Sequence, residues 1–82
     1  MYYIYVLECA DKTLYVGSTN NIEKRLHTHN NSKTGAHYTK IRRPVVLKYS
    51  ESFENKSEAL KRECAIKKLK RIDKLKLLSR SI

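Results

Sequence analysis

Along the first twenty residues the apolar positions fall into two short runs, Tyr2 to Leu7 and Leu14 to Val16, separated by polar Cys9 to Thr13. Both runs are aromatic and β-branched without a breaker, which predicts strands over Tyr2–Glu8 and Leu14–Ser18. Asp11 supplies the turn chemistry between them, and Gly17 sits at the exit of the second. In "TNNIEKRLHTHN" the period changes. Ile22 and Leu26 recur at helical spacing, and Asn20 with Glu23 has the spacing of a capping box, so a helix should begin near Asn21. It should end by Asn30 and Asn31, where "NNSKTG" is loop chemistry. "VVLKYSESF", residues 45–53, reads as a third strand entered through Pro44. Asn55 and Glu58 repeat the capping spacing and open a long helix to about Leu69, followed by a short one carrying Ile72, Leu75 and Leu78. The order β-β-α-β-α-α predicts an α/β sandwich, a small, mainly antiparallel three-stranded sheet flanked by helices. A chain of 82 residues without repeats or a long linker is expected to form a single domain over residues 1–82.

Several polar residues interrupt the helical pattern. Ile22 and Leu26 define the buried side of the first helix. His29 projects onto that side and Arg25 onto its border, four residues apart and facing the same way. Arg25 can snorkel and His29 can cap a helix end, so either alone has a packing explanation. In the long helix Ala59, Leu60 and Ile66 mark the inward arc, and Glu63 projects into its middle. A carboxylate there loses hydration unless a cation or donors compensate. Two partners satisfy it equally well: Arg25, in a salt bridge that serves packing, or a hard divalent cation, which needs only one or two carboxylates plus water.

Composition changes the picture through charge. Lys and Arg number 18 against 8 Asp and Glu, a formal +10. That excess favours a polyanion as partner, nucleic acid before an acidic membrane, although a solvated basic surface is the simpler alternative. The basic residues cluster rather than alternate with acids. Tyr38, Lys40, Arg42 and Arg43 fit a phosphate-tracking edge with an aromatic ring for a base, while Tyr38 can equally pack a loop on the sheet. Lys67 opens the run Lys67-Lys68-Lys70-Arg71, a solvated helix face that can also meet phosphates. Cys9 and Cys64 have neither zinc spacing nor a disulfide framework, which fits a reducing compartment. The apolar run at the start is too short for a signal peptide or a membrane span, so the cytoplasm is the expected location.

The remaining oddity is the pair of strands with a tyrosine in each. Buried phenol oxygens need partners, so Phe or Val would build a plain hairpin more simply. Phenols on the sheet, an Arg and a His on one helix and a Glu on another suit phosphodiester hydrolysis. A base deprotonates water, a metal neutralises phosphate, and a guanidinium holds the developing charge. A tyrosine acts as base only if its pKa falls well below about 10, which a nearby cation can achieve.

Tyr3-Ile4-Tyr5, followed ten residues later by Tyr15-Val16-Gly17, resembles the paired signature of the GIY-YIG nuclease superfamily. The likeness continues through Ser18-Thr19-Asn20, Arg25-Leu26, His29, "GAHYTKIRRPVVLKY", "EALKRECAIK", Arg71, Lys74 and Leu77-Leu78, and covers nearly the whole chain. It is similar to the minimal, single-domain bacterial branch. The resemblance implies a metal-dependent nuclease in which Tyr5 and Tyr15 share the roles of general base and orienting phenol. It implies that Arg25 steadies the scissile phosphate, that His29 helps proton transfer, and that Glu63 holds the metal, magnesium or in its place manganese. Gly17 then matches a glycine that admits the nucleic-acid backbone, and DNA is favoured over RNA as substrate. Two departures stand out. Tyr3 occupies the place of the first glycine, and no asparagine stands near Leu75 where larger relatives carry one. With no separate DNA-recognition domain, little sequence preference is expected.

Overall fold

A computed structural model describes residues 1–31 and 41–79 of the chain. Strands β1 (Tyr2–Glu8) and β2 (Leu14–Thr19) form a hairpin, followed by helix α1 (Ile22–Asn31), strand β3 (Val46–Phe53) and helices α2 (Lys56–Lys67) and α3 (Arg71–Ser79). The sheet order is β2-β1-β3, and both pairings are antiparallel. The first strand is therefore the central one, which explains why it is the most apolar. A register shift opposite Val6 and Leu7 lets β3 bend there.

Alternation along β1 divides the core between the two faces of the sheet. On one face Ile4, Val6 and Val16 pack with Ala59 and Ile66 of α2, bordered by Tyr49, Phe53, Leu77 and Leu78. On the other, Tyr5, Leu7, Cys9 and Val45 pack with Tyr15, Leu26 and Leu47. Each fully buried aliphatic side chain contributes roughly 1.5–3 kcal/mol. The α2 face is also tied down by a polar cluster. Arg62 meets Glu51 through two nitrogens, each 3.0 Å from a carboxylate oxygen, and the Tyr49 hydroxyl donates to the same carboxylate. Burial opposes ionisation of Glu51, but the Arg62 guanidinium and the Tyr49 hydroxyl outweigh it and lower its pKa.

Local chemistry fixes the element ends. Asp11 accepts from the Thr13 backbone N–H and hydroxyl at 3.1 and 2.6 Å, and Lys12 takes the left-handed conformation at φ 71°. Asn55 caps α2 by accepting from the Glu58 N–H at 3.0 Å, as its spacing predicts. Helix α2 stops at Lys67, two residues short of the expected end, because the chain tightens through Lys68 and Leu69 into a new helical turn. Leu60 is a correction. It is 42% exposed, whereas Ala59 and Ile66 are buried. At about 100° per residue, the buried arc runs from Arg62 through Ile66 and Ala59 to Glu63, leaving Leu60 about 60° outside it. In α3, Leu77 and Leu78 reach the core while Ile72 and Leu75 stay exposed.

Candidate active site

Tyr5 pairs with Gly17 across the hairpin, and Leu7 pairs with Tyr15. Two residues apart on β1 and on β2, the tyrosines emerge on one face as diagonal neighbours, with ring centroids 6.5 Å apart. Gly17 is what permits this. A Cβ there would stand 2.5 Å from Tyr5 Oη and 3.2 Å from Tyr15 Cε1. The space beside Gly17 is filled by the Tyr5 phenol, so the missing side chain serves the hairpin itself.

Helix α1 brings His29 onto the same two rings, 5.9 Å from the Tyr5 centroid and 5.1 Å from that of Tyr15. Its Nε2 lies 3.0 Å from Tyr5 Oη. Although Ile22 and Leu26 share its side of the helix, His29 is the most deeply placed residue of α1, at 2% exposure. Two contacts fix it. The Asn30 side-chain amide pairs with both the N–H and the C=O of Val45, at 2.8 and 3.1 Å, locking the end of α1 to the chain entering β3. Arg43 donates to the backbone carbonyls of His29 and Thr28. Burial, reinforced by the positive charges of Arg25 and Arg43, lowers the His29 pKa, so the imidazole is neutral at pH 7. Burial likewise raises that of Tyr5. The Tyr15 phenol adds to the rise, Arg25 opposes it, and the Glu63 carboxylate adds again. A protonated phenol beside a neutral imidazole donates to it, since the imidazole nitrogen is the better acceptor.

Arg25 is exposed on the outer side of this cluster and lines an open cavity of about 230 Å³ with Thr19, Asn20, Asn21, Lys24 and Thr28. Glu63 of α2 acts on Tyr5 through its charge. Its side chain is 17% exposed, and its ion pair is with Lys67, Oε2 to Nζ 2.8 Å, not with Arg25 as the packing alternative required. The Tyr15 phenol also contributes to the field at Lys67. The fold thus gathers Tyr5, Tyr15, Arg25, His29, Glu63 and Lys67 into one electrostatic neighbourhood. The other expected contacts are committed elsewhere, Arg42 away from the cluster and Arg43 to the backbone of His29. Arg42 forms a 3.0 Å ion pair with Asp11 at the hairpin turn, and Arg43 is engaged with the end of α1. Lys40 lies outside the described residues. Sequence reasoning missed the structural tasks of Asn30 and Arg43, which no local spacing announces. It also missed the Glu63–Lys67 pair, which the i, i+4 spacing could have disclosed.

Residues 1–76 match the GIY-YIG catalytic domain. The chain belongs to the GIY-YIG family. It is 58% identical over 78 residues to a UPF0213 protein of Staphylococcus saprophyticus, covering 95% of this chain and 94% of that one. With a UPF0213 protein of Syntrophus aciditrophicus it shares 56% identity over 79 residues, 96% of this chain and 91% of the relative. Among solved structures it is similar to a protein from E. faecalis, at TM-score 0.65 and 48% identity over 96% of this chain and 83% of that one. A UPF0213 protein from Bacillus halodurans gives TM-score 0.62 and 39% identity, covering 96% and 84%. Membership of the GIY-YIG family implies nuclease-type chemistry on nucleic acid with a divalent metal ion. No helix among the described residues is long and apolar enough to cross a membrane.

The donor set bears on which ion fits. Among the described residues no three His, Cys, Asp or Glu side chains cluster as a metal cage. A tetrahedral zinc set is therefore not offered. A single, largely withdrawn carboxylate fits a hard divalent ion that keeps most of its shell as water and phosphate oxygens.

Proposed function

We propose that this protein is a magnesium-dependent endonuclease that hydrolyses phosphodiester bonds, in DNA before RNA, with little sequence preference. The observation that carries the reading is the Tyr5–His29–Tyr15 cluster, two phenols closed around a buried neutral imidazole, with Arg25 and Glu63 acting on it from either side. A packing core has no need of three polar ring atoms at one point, whereas in-line attack on phosphate needs a base, a positioning group and cations together.

In this reading Tyr15 takes the proton from the attacking water. It is half-buried and nearer to solvent than the buried Tyr5, so a water can reach its hydroxyl. Tyr5 is the poorer base because burial holds its proton on. It stays protonated, donates to His29 Nε2, and sets the position of the Tyr15 ring beside it. Arg25, on the open side, binds the scissile phosphate and stabilises the charge that builds on its equatorial oxygens. Glu63 holds the magnesium ion, whose chemistry when bound is to neutralise phosphate charge and steady the leaving oxygen. The net +10 supplies sequence-independent attraction to the backbone. We place the activity in a single domain over residues 1–82.

A panel of single-stranded, duplex, flapped and branched substrates, each with magnesium or with chelator, tests the reading. Magnesium-dependent cutting of at least one structure is expected. Binding without cutting across the panel would leave a basic nucleic-acid-binding module instead.

A further inference from the structure

The Glu63–Lys67 pair is more than a helix-surface ion pair in its placement. Lys67 Nζ stands 2.8 Å from Glu63 Oε2, yet the two side chains differ in setting, the carboxylate 17% and the lysine 53% exposed. The ammonium therefore reaches a mostly withdrawn carboxylate from a more exposed position. Its charge also interacts with the Tyr15 phenol.

We propose that Lys67 is the resident counter-ion of Glu63, displaced when a divalent ion binds and thereby released to contact a substrate phosphate. The inference rests on the reading of Glu63 as the metal-holding carboxylate. Its physical basis is competition for one anion. An ammonium and a divalent cation on one carboxylate repel each other in a partly desolvated site, so each weakens the hold of the other. Before metal arrives, Lys67 removes the cost of an unpaired carboxylate next to two phenols. Afterwards its four-carbon stem lets the ammonium swing without moving the backbone of α2. A substrate phosphate bound at the site would then be an anion within reach of it. Positive charge at the site is thus kept low in the free protein and raised only when metal and nucleic acid are both present. Lys67 is a positioning residue in this account, acting through Glu63 and the phosphate.

The test uses the full chain and manganese as the probe, read by loss of the free-ion paramagnetic signal. Lys67→Met is expected to bind manganese about threefold or more tighter than the parent, because the competing cation is gone, while Lys67→Arg keeps affinity near the parent's. A second measurement follows duplex affinity against salt, with calcium present to prevent turnover and with chelator. Calcium should steepen the slope of log affinity on log salt by about 0.9 more in the parent than in Lys67→Met, one extra phosphate contact's worth. Equal manganese affinity in Lys67→Met and parent, with Glu63→Gln binding weakly, would overturn the exchange and leave Glu63 as metal holder. Manganese binding that Glu63→Gln does not weaken, or none in the parent, would overturn both.

Discussion

Tyr5 and Gly17 face one another in the antiparallel ladder, and the phenol of Tyr5 lies where any side chain at position 17 would have to be. The ring is buried, leans on Tyr15 and bonds to His29, so it cannot swing aside as the tip of an exposed chain would. Gly17→Ala therefore pushes Tyr5 off His29. We expect a loss of about 1–3 kcal/mol, the usual cost of overpacking, together with a drop in cleavage larger than that loss explains. Unfolding curves and single-turnover rates on the same sample measure the two. An alanine variant with unchanged stability and rate would mean that the hairpin accommodates a methyl group here.

Glu63→Gln separates a metal-holding role from a packing role. Its partner is Lys67 at i, i+4, a type of pair worth about 0.2–0.5 kcal/mol. The amide should accordingly cost little stability while abolishing magnesium-dependent cleavage. Duplex affinity should stay the same or tighten, because a negative charge beside the phosphate is removed. A large fall in melting temperature with cleavage retained would assign the carboxylate to packing.

Periodicity carried most of this fold. The strands, the cap Asn55, the turn residue Asp11 and the β-β-α-β-α-α order all rest on local chemistry, which is readable residue by residue. Helix α1, however, is capped by Asn21, which accepts from the Lys24 N–H, and not by the expected Asn20. What failed was projection at borders. Leu60 is apolar and adjacent to Ala59, yet it falls outside an arc that Glu63 and Arg62 fill because each has a partner. Long-range pairings were also out of reach. That Arg43 would cap the end of α1 and Arg42 meet Asp11 depends on how elements dock, whereas the Glu63–Lys67 pair lies within α2 and was readable from its i, i+4 spacing. At the site, the convergence of Tyr5, Tyr15 and His29 was legible because strand alternation places the two tyrosines and helical spacing places the histidine, and only their meeting point depends on how the elements dock.

The two phenols should not be equivalent. Tyr5→Phe keeps the ring that Gly17 accommodates but leaves the His29 nitrogen without its donor, so we expect about 1 kcal/mol of destabilisation and a reduced rate. Tyr15→Phe removes the proposed base and should cost at least ~10²-fold in rate, in line with general-base contributions, with duplex binding unchanged. Comparing single-turnover cleavage of the two variants at equal saturation ranks them. If Tyr5→Phe is the more damaging at unchanged stability, the base is Tyr5 and the assignment reverses. If both cut like the parent, the tyrosines are core alone.

His29 links the site to acid stability. Burial first, then the charges of Arg25 and Arg43, hold its folded pKa below the ordinary value of 6.5. The sign follows from proton uptake: between the ordinary value and the lowered one, the unfolded chain binds a proton at position 29 and the folded chain does not. Stability conferred by the neutral imidazole is thus fully present above about pH 6.5, falls as the pH drops through the range below it, and levels off once the folded form is also protonated. Melting temperatures from pH 8 to 5 should show this decline in the parent and a flatter profile in His29→Gln, whose amide still accepts from Tyr5 but does not titrate. Cleavage should follow the same limb, because an imidazolium no longer accepts the Tyr5 proton. A parent and a His29→Gln variant with parallel melting profiles would show that another group governs the acid response, and would withdraw the neutral imidazole from the mechanism.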